Sequence, residues 1–194
     1  MKSVEVNANN HWLGFALSLF TAVLWGVLPI FLKLCLESMN AVTITWYRFL
    51  VAGGFVFLVL QNKKALPKVN IIKSKVWWLI AASLLLVVNY VANVQGLEYL
   101  APETAQVLMQ LAPFLLMLGG IVFFAERLSR LELLGAFCLL LGMFLFFNER
   151  IEQLFSSFNE FTLGVLIIIF AAVTWAGYAL IQKPLLRVLS AKQL

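Results

Sequence analysis

A single arginine interrupts the otherwise uncharged run from Ser38 to Asn62: Arg48. A charge near the centre of a bilayer costs about 2.5 to 3.5 kcal/mol on insertion scales, so an arginine at that depth needs a partner. Ten residues separate it from Ser38. At 1.5 Å per residue, that sets it about 10 to 15 Å below the nearer face, further than its own stem can snorkel. Other polar groups recur at comparable depth. Asn89 and Asn93 stand one helical turn apart, and Glu103, Gln106 and Gln110 share one face at i, i+3 and i+7. Trp25, Tyr47 and Tyr90 lie at similar levels of their own segments. These residues are candidates for a polar, solute-binding cavity in the outer half of a membrane bundle, with Arg48 open to an anionic group such as a carboxylate. The competing reading is interhelical glue: amides bonded across helices contribute roughly 1 kcal/mol each. In that reading Arg48 is a structural arginine held by carbonyls, Glu98 or Glu103. The sequence leaves both open.

Little else in the chain could do chemistry. Cys35 and Cys138 have no CxxC or His-rich spacing, His11 has no second ligand, and aspartate is absent. Neither a metal centre nor a nucleophilic triad can be assembled from these parts, so the expectation is a protein without catalytic activity, metal or cofactor. The net charge of +5 would suit nucleic acid, but the lysines cluster between apolar runs, where membrane topology accounts for them.

The elements that position these groups are read from hydropathy. Of 194 residues 63% are apolar and 12% charged. The apolar residues fall in separate blocks of membrane-spanning length, which defines an all-α membrane protein whose partner is the lipid bilayer. Six segments qualify: Trp12 to Leu32, Ser38 to Asn62, Val76 to Leu97, Thr104 to Ala125, Leu133 to Asn148 and Phe161 to Gln182. The first is too long for the apolar core of a cleaved signal peptide. Between the fifth and sixth, Ile151, Leu154, Phe155 and Phe158 recur at i, i+3, i+4 and i+7, which predicts a short amphipathic helix in the headgroup plane over 149–160. Pro29 and Pro113 stand inside the first and fourth spans, as hinges or as ordinary membrane-helix prolines. Gly135 and Gly142, seven apart on the fifth span, suggest a face for close packing.

Basic residues set the orientation. Eleven of the 14 Lys and Arg fall on one side of this six-span arrangement, and only Lys33 and Arg150 on the other, with Arg48 inside a span. Basic loops stay in the cytoplasm, so both termini are expected there.

The first and sixth spans are related by a constant offset of 150 residues: Leu13, Gly14, Phe20, Ala22, Val23, Trp25, Lys33 and Leu36 recur as Leu163, Gly164, Phe170, Ala172, Val173, Trp175, Lys183 and Leu186. Five spans lie between one copy and the next. Because five is odd, the second copy enters the membrane from the opposite side, as in the inverted repeats of secondary carriers.

The stretches WGVLPIFLK (Trp25 to Lys33), TWYRFLVAG (Thr45 to Gly53), GLEYLAPETAQVLMQLAPF (Gly96 to Phe114) and AERLSRLELLGAFCLLLGMFLF (Ala125 to Phe146) resemble, in order and spacing, the EamA family of the drug/metabolite transporter superfamily. The resemblance implies a first five-helix repeat over 12–148, a linker over 149–160, and the opening of an inverted second repeat over 161–194. It also implies a multi-pass inner-membrane carrier that moves small metabolites, amino acids or drugs by alternating access, with export the expected direction. The family pattern has ten helices and this sequence carries six. The alternative is therefore a truncated or accessory half-carrier without transport of its own, whose partner would be a second copy or a complementary half.

Overall fold

A computed structural model describes residues 8–63, 69–148 and 159–190, and among them every regular element is helical. In chain order these are α1 (Ala8–Leu36), α2 (Ala41–Asn62), α3 (Val69–Tyr99), α4 (Pro102–Met109), α5 (Leu111–Phe124), α6 (Arg130–Phe147) and α7 (Glu160–Leu185). Six of the resulting segments are long and apolar enough to cross a membrane, α4 and α5 together making one, Pro102–Phe124. Helices are what lipid permits, since each backbone group must be satisfied within its own segment. The amphipathic helix expected over 149–160 falls outside the described residues but for Asn159 and Glu160.

Polar residues start and stop these helices. Asn40 caps α2 by accepting from the Thr43 amide at 2.8 Å, and Asn159 caps α7 by accepting from that of Thr162 at 2.9 Å. Ser129 and Glu132 form a reciprocal capping box at the start of α6, with the Ser129 amide donating to Glu132 Oε2 at 2.7 Å. α5 ends on Ala125 in the left-handed conformation, φ 52°.

The two prolines behave differently. α1 runs unbroken through Pro29. The fourth span breaks at Gln110, three residues ahead of Pro113, and restarts as α5 with the proline in its first turn. Proline lacks the amide that would reach the carbonyl of Met109 and its ring crowds that carbonyl, so the sequence favours a fresh helix start there.

α3 and α7 form the most extensive helix pair. Their contacts run in opposite order along the two helices. A Cβ added to Gly164 would meet Leu100 and Tyr99, one added to Gly96 would meet Ile168, and one added to Gly177 would meet Leu85. The two helices are therefore antiparallel, with glycine letting the backbones approach. Val94, Leu97, Leu100 and Ile168 fill the seam. α5 packs beside α7 in the parallel sense, Gly119 against Leu180 and Glu126 against Lys183.

Lys33, at the end of α1, donates to the carbonyls of Leu97 and Leu100 at 2.9 and 2.7 Å, where α3 finishes. Lys183, at the end of α7, pairs with Glu126, where α5 finishes. These two lysines, equivalent under the 150-residue offset, thus mark opposite ends of the bundle. α1 and α7 run in opposite directions, as the odd number of intervening spans requires. α6 lies at the edge and packs only lightly on the other helices. Gly135 and Gly142 have open space where a Cβ would stand, so among the described residues they mediate no close packing.

Candidate solute cavity between the first, third, fourth and seventh helices

The site begins with Pro29, which is buried in α1. In an α-helix the carbonyl of Trp25 accepts from residue 29, and a proline there has nothing to donate. Gln106 of α4 supplies the missing bond: its Nε2 donates to the Trp25 carbonyl at 3.2 Å. On α3, Asn89 is 3% exposed and donates through Nδ2 to the Ala171 carbonyl of α7 at 2.7 Å. Thr174 donates to the same carbonyl at 2.9 Å. A carbonyl can only accept, so each amide must turn its NH2 group outward to its partner. Both amides thus act as interhelical fasteners through one N–H, and each keeps its oxygen and its second N–H for other use.

Around these fasteners lies a cavity of about 160 Å³, walled by residues of α1, α2, α3, α4, α5 and α7. Arg48, Asn89, Tyr90, Asn93, Gln106 and Gln110 supply its polar lining, and Trp25 and Trp175 stand in its wall with Leu28, Leu32 and Met109. Seven of the nine residues singled out from the sequence meet here. The helix break is part of the wall as well, since Met109, Gln110 and Pro113 all line it.

Arg48 is half-buried, with its guanidinium 4.8 Å from the centre of the Tyr90 ring. A cation over an aromatic face is held by the ring quadrupole. Phe49 packs on the same ring, centroids 5.1 Å apart. Among the described residues no carboxylate pairs with Arg48, and neither Glu98 nor Glu103 reaches it. Arg48 thus lines the cavity with Tyr90 against its guanidinium.

Tyr47 and Glu103 stand elsewhere. Tyr47 is exposed on α2 beside Trp46, their rings 5.2 Å apart. Adjacent helical positions are rotated by ~100°, so a face that turns Arg48 inward turns Tyr47 toward lipid. Glu103 is exposed in the first turn of α4, where an acidic side chain suits the positive end of the helix dipole, and it lies short of the cavity. Trp175 lines the cavity without having been singled out as a site residue. Its signal was present: it is the partner of Trp25 under the 150-residue offset, so one repeated tryptophan meets its equivalent across one cavity.

Residues 12–148 match the EamA-like transporter family. Over 182 residues the chain is 36% identical to an "Uncharacterized transporter" of Haemophilus influenzae, covering 94% of this chain and 59% of that protein. Over 184 residues it is 35% identical to the "Uncharacterized inner membrane transporter YhbE" of Escherichia coli K12, and equally to that of Shigella flexneri, covering 94% of this chain and 57% of theirs. The chain thus spans less than two thirds of the length of these relatives. No solved structure matches. Six apolar spans and a family match over most of the chain lead to one assignment: this is a membrane protein of the EamA-like transporter family.

Proposed function

We propose that this chain forms the solute-gripping part of a secondary carrier of the inner membrane, which exports small metabolites, amino acids or drugs by alternating access. The observation that carries the reading is the convergence of Arg48 and the two repeat-related tryptophans on one cavity, at a break in the fourth span. Broken helices and repeat interfaces near the bilayer centre are where such carriers hold their solutes. A half-buried cation that no carboxylate among the described residues pairs with suits a solute bearing a negative charge.

The test is transport in proteoliposomes loaded with candidate anionic and neutral metabolites. Arg48→Gln, at equal incorporation, is expected to lower flux of anionic solutes by at least about tenfold, the loss of one charge-assisted contact. Unchanged flux would remove Arg48 from the solute site. Faster loss from loaded vesicles than entry into empty ones, in the orientation that holds both termini inside, is the expected sign of export.

A second reading has its own support. α6 packs lightly on the remainder, and the chain spans less than two thirds of the length of the relatives it matches. A chain of these six spans would then be a half-carrier, active only with a second copy or a complementary half. Flux from the 194-residue chain alone, compared with flux after its dimers are separated, decides between the two.

A further inference from the structure

Away from the cavity, the end of the bundle where α2 finishes and α3 begins carries charge without compensation. The stretch 61–75 holds five lysines and neither Asp nor Glu. The other nine Lys and Arg of the chain are matched by nine Glu, so the whole net charge of +5 arises here. Other basic groups at this end have acidic neighbours: Lys183 pairs with Glu126, and Arg127 and Arg130 lie between Glu126 and Glu132 in the sequence. Among the described residues no carboxylate pairs with Lys63, Lys73 or Lys75, and Lys63 and Lys73 are exposed. Topology alone asks only that lysines stand on one side of the membrane. It does not ask that they be set on a rigid helix, as Lys73 and Lys75 are.

α3 has 31 residues, which at 1.5 Å per residue gives about 46 Å, well beyond a hydrocarbon core of about 30 Å. Its close is level with that of α1, where Lys33 meets the carbonyls of Leu97 and Leu100, so the surplus length lies at its start. Trp77 and Trp78 come directly after the two lysines and are 79% and 54% exposed. Tryptophan gathers where hydrocarbon gives way to headgroups, which sets the lysines at headgroup level. Lys73 and Trp77 stand at i and i+4, one above the other on one side of the helix, and exposed Ile80 and Leu84 continue that side toward the core. Along the axis this side offers a cation, an interfacial ring and then apolar side chains. A phospholipid presents its phosphate, glycerol and acyl chains in the same order. We propose that the start of α3 holds an anionic phospholipid, with its phosphate at Lys73, Lys75 adding to the field, and its chains along Trp77, Ile80 and Leu84. A zwitterionic lipid brings its own cation and gains little from the lysines. A lipid of net negative charge gains about fivefold in association for each lysine near the surface.

The experiment is native mass spectrometry of the 194-residue chain in detergent, titrated with phosphatidylglycerol or with phosphatidylcholine of the same acyl chains. The Kd of the first lipid bound is expected to favour phosphatidylglycerol by at least about tenfold. Lys73→Gln should lower that ratio by about fivefold, and Lys73→Gln with Lys75→Gln should bring it close to one, while phosphatidylcholine binds as before. Should the double variant fail to fold, the single one decides. Arg127→Gln with Arg130→Gln removes as much charge from the same end and is expected to leave the ratio as it was. Equal affinity for the two lipids would overturn the proposal, and equal losses from the lysine and arginine pairs would replace the site with a diffuse field. Glycerol 3-phosphate, a headgroup without chains, should not displace phosphatidylglycerol at a hundredfold excess. Displacement would identify a site for free phosphate and overturn the lipid as its occupant.

Discussion

Two lysines in equivalent sequence positions do unequal structural work. Lys33 is half-buried and donates to two backbone carbonyls at the end of α3. Lys183 pairs with Glu126 in the open, at side-chain exposures of 41% and 47%. Hydrogen bonds from a charged donor to otherwise orphaned helix-end carbonyls are worth about 1.5 to 3 kcal/mol, whereas exposed ion pairs are worth roughly 0 to 1. Lys33→Met is therefore expected to lower thermal stability in detergent by about 2 kcal/mol. Lys183→Met should change it by less than about 1 kcal/mol. Equal losses on a thermal-unfolding assay would show that the carbonyl cap is no stronger than the surface pair. At this scale the sequence was informative about polar residues and silent about direction. Seven candidates converge because a polar group inside a membrane span must face protein or a cavity. Tyr47 went astray because depth alone does not report rotation about the helix axis. That Gln106 serves the carbonyl freed by Pro29 was hidden too, since the two residues lie on different spans and only packing brings them together.

Among the helices, the seam between α3 and α7 is the most extensive, and glycine sets its spacing. A Cβ on Gly164 would lie 2.7 Å from both Leu100 Cγ and Tyr99 Cβ, closer than real side chains approach. One of those atoms sits next to the backbone and cannot swing aside. Gly14, its equivalent in α1, has nothing within 4 Å. Gly164→Val is thus expected to cost about 1 to 3 kcal/mol as overpacking, and Gly14→Val to stay within about 0.5 kcal/mol. Size-exclusion profiles and thermal unfolding of the two variants read the contrast, and equal behaviour would mean that α7 can shift along α3 without loss. The spans were legible as elements because lipid enforces long uninterrupted apolar runs. Prolines were legible only as possibilities. Pro29 is accommodated because a neighbouring amide satisfies its freed carbonyl, and Pro113 falls where a new helix can begin.

At the scale of the molecule, the contacts define two ends and the charges distinguish them. The ends of α1 and α3 and the start of α7 meet around Lys33. Among the described residues that end holds no other basic side chain. The opposite end, where α5 and α7 finish, carries Lys183, Arg187, Arg127 and Arg130, and each reversal of the chain adds Lys63, Lys73 and Lys75 to it. The opposite directions of α1 and α7 were legible from the odd number of spans between them. The light packing of α6 was not, because a run of Leu and Phe reads the same whether it faces helices or lipid. Basic segments are retained in the cytoplasm, so the Lys33 end should face outward and the Lys63 end inward. In a chain with Cys35 and Cys138 replaced by alanine, Ser38→Cys is expected to react with a membrane-impermeant maleimide in intact cells, and Lys63→Cys only after permeabilisation. Both positions are exposed, so access to the reagent is set by the side of the membrane and not by burial. The reverse pattern would invert the assignment. Labelling of both positions in intact cells would mean that the chain inserts in two orientations, which would let two copies in opposite senses supply the antiparallel halves that an inverted-repeat carrier requires.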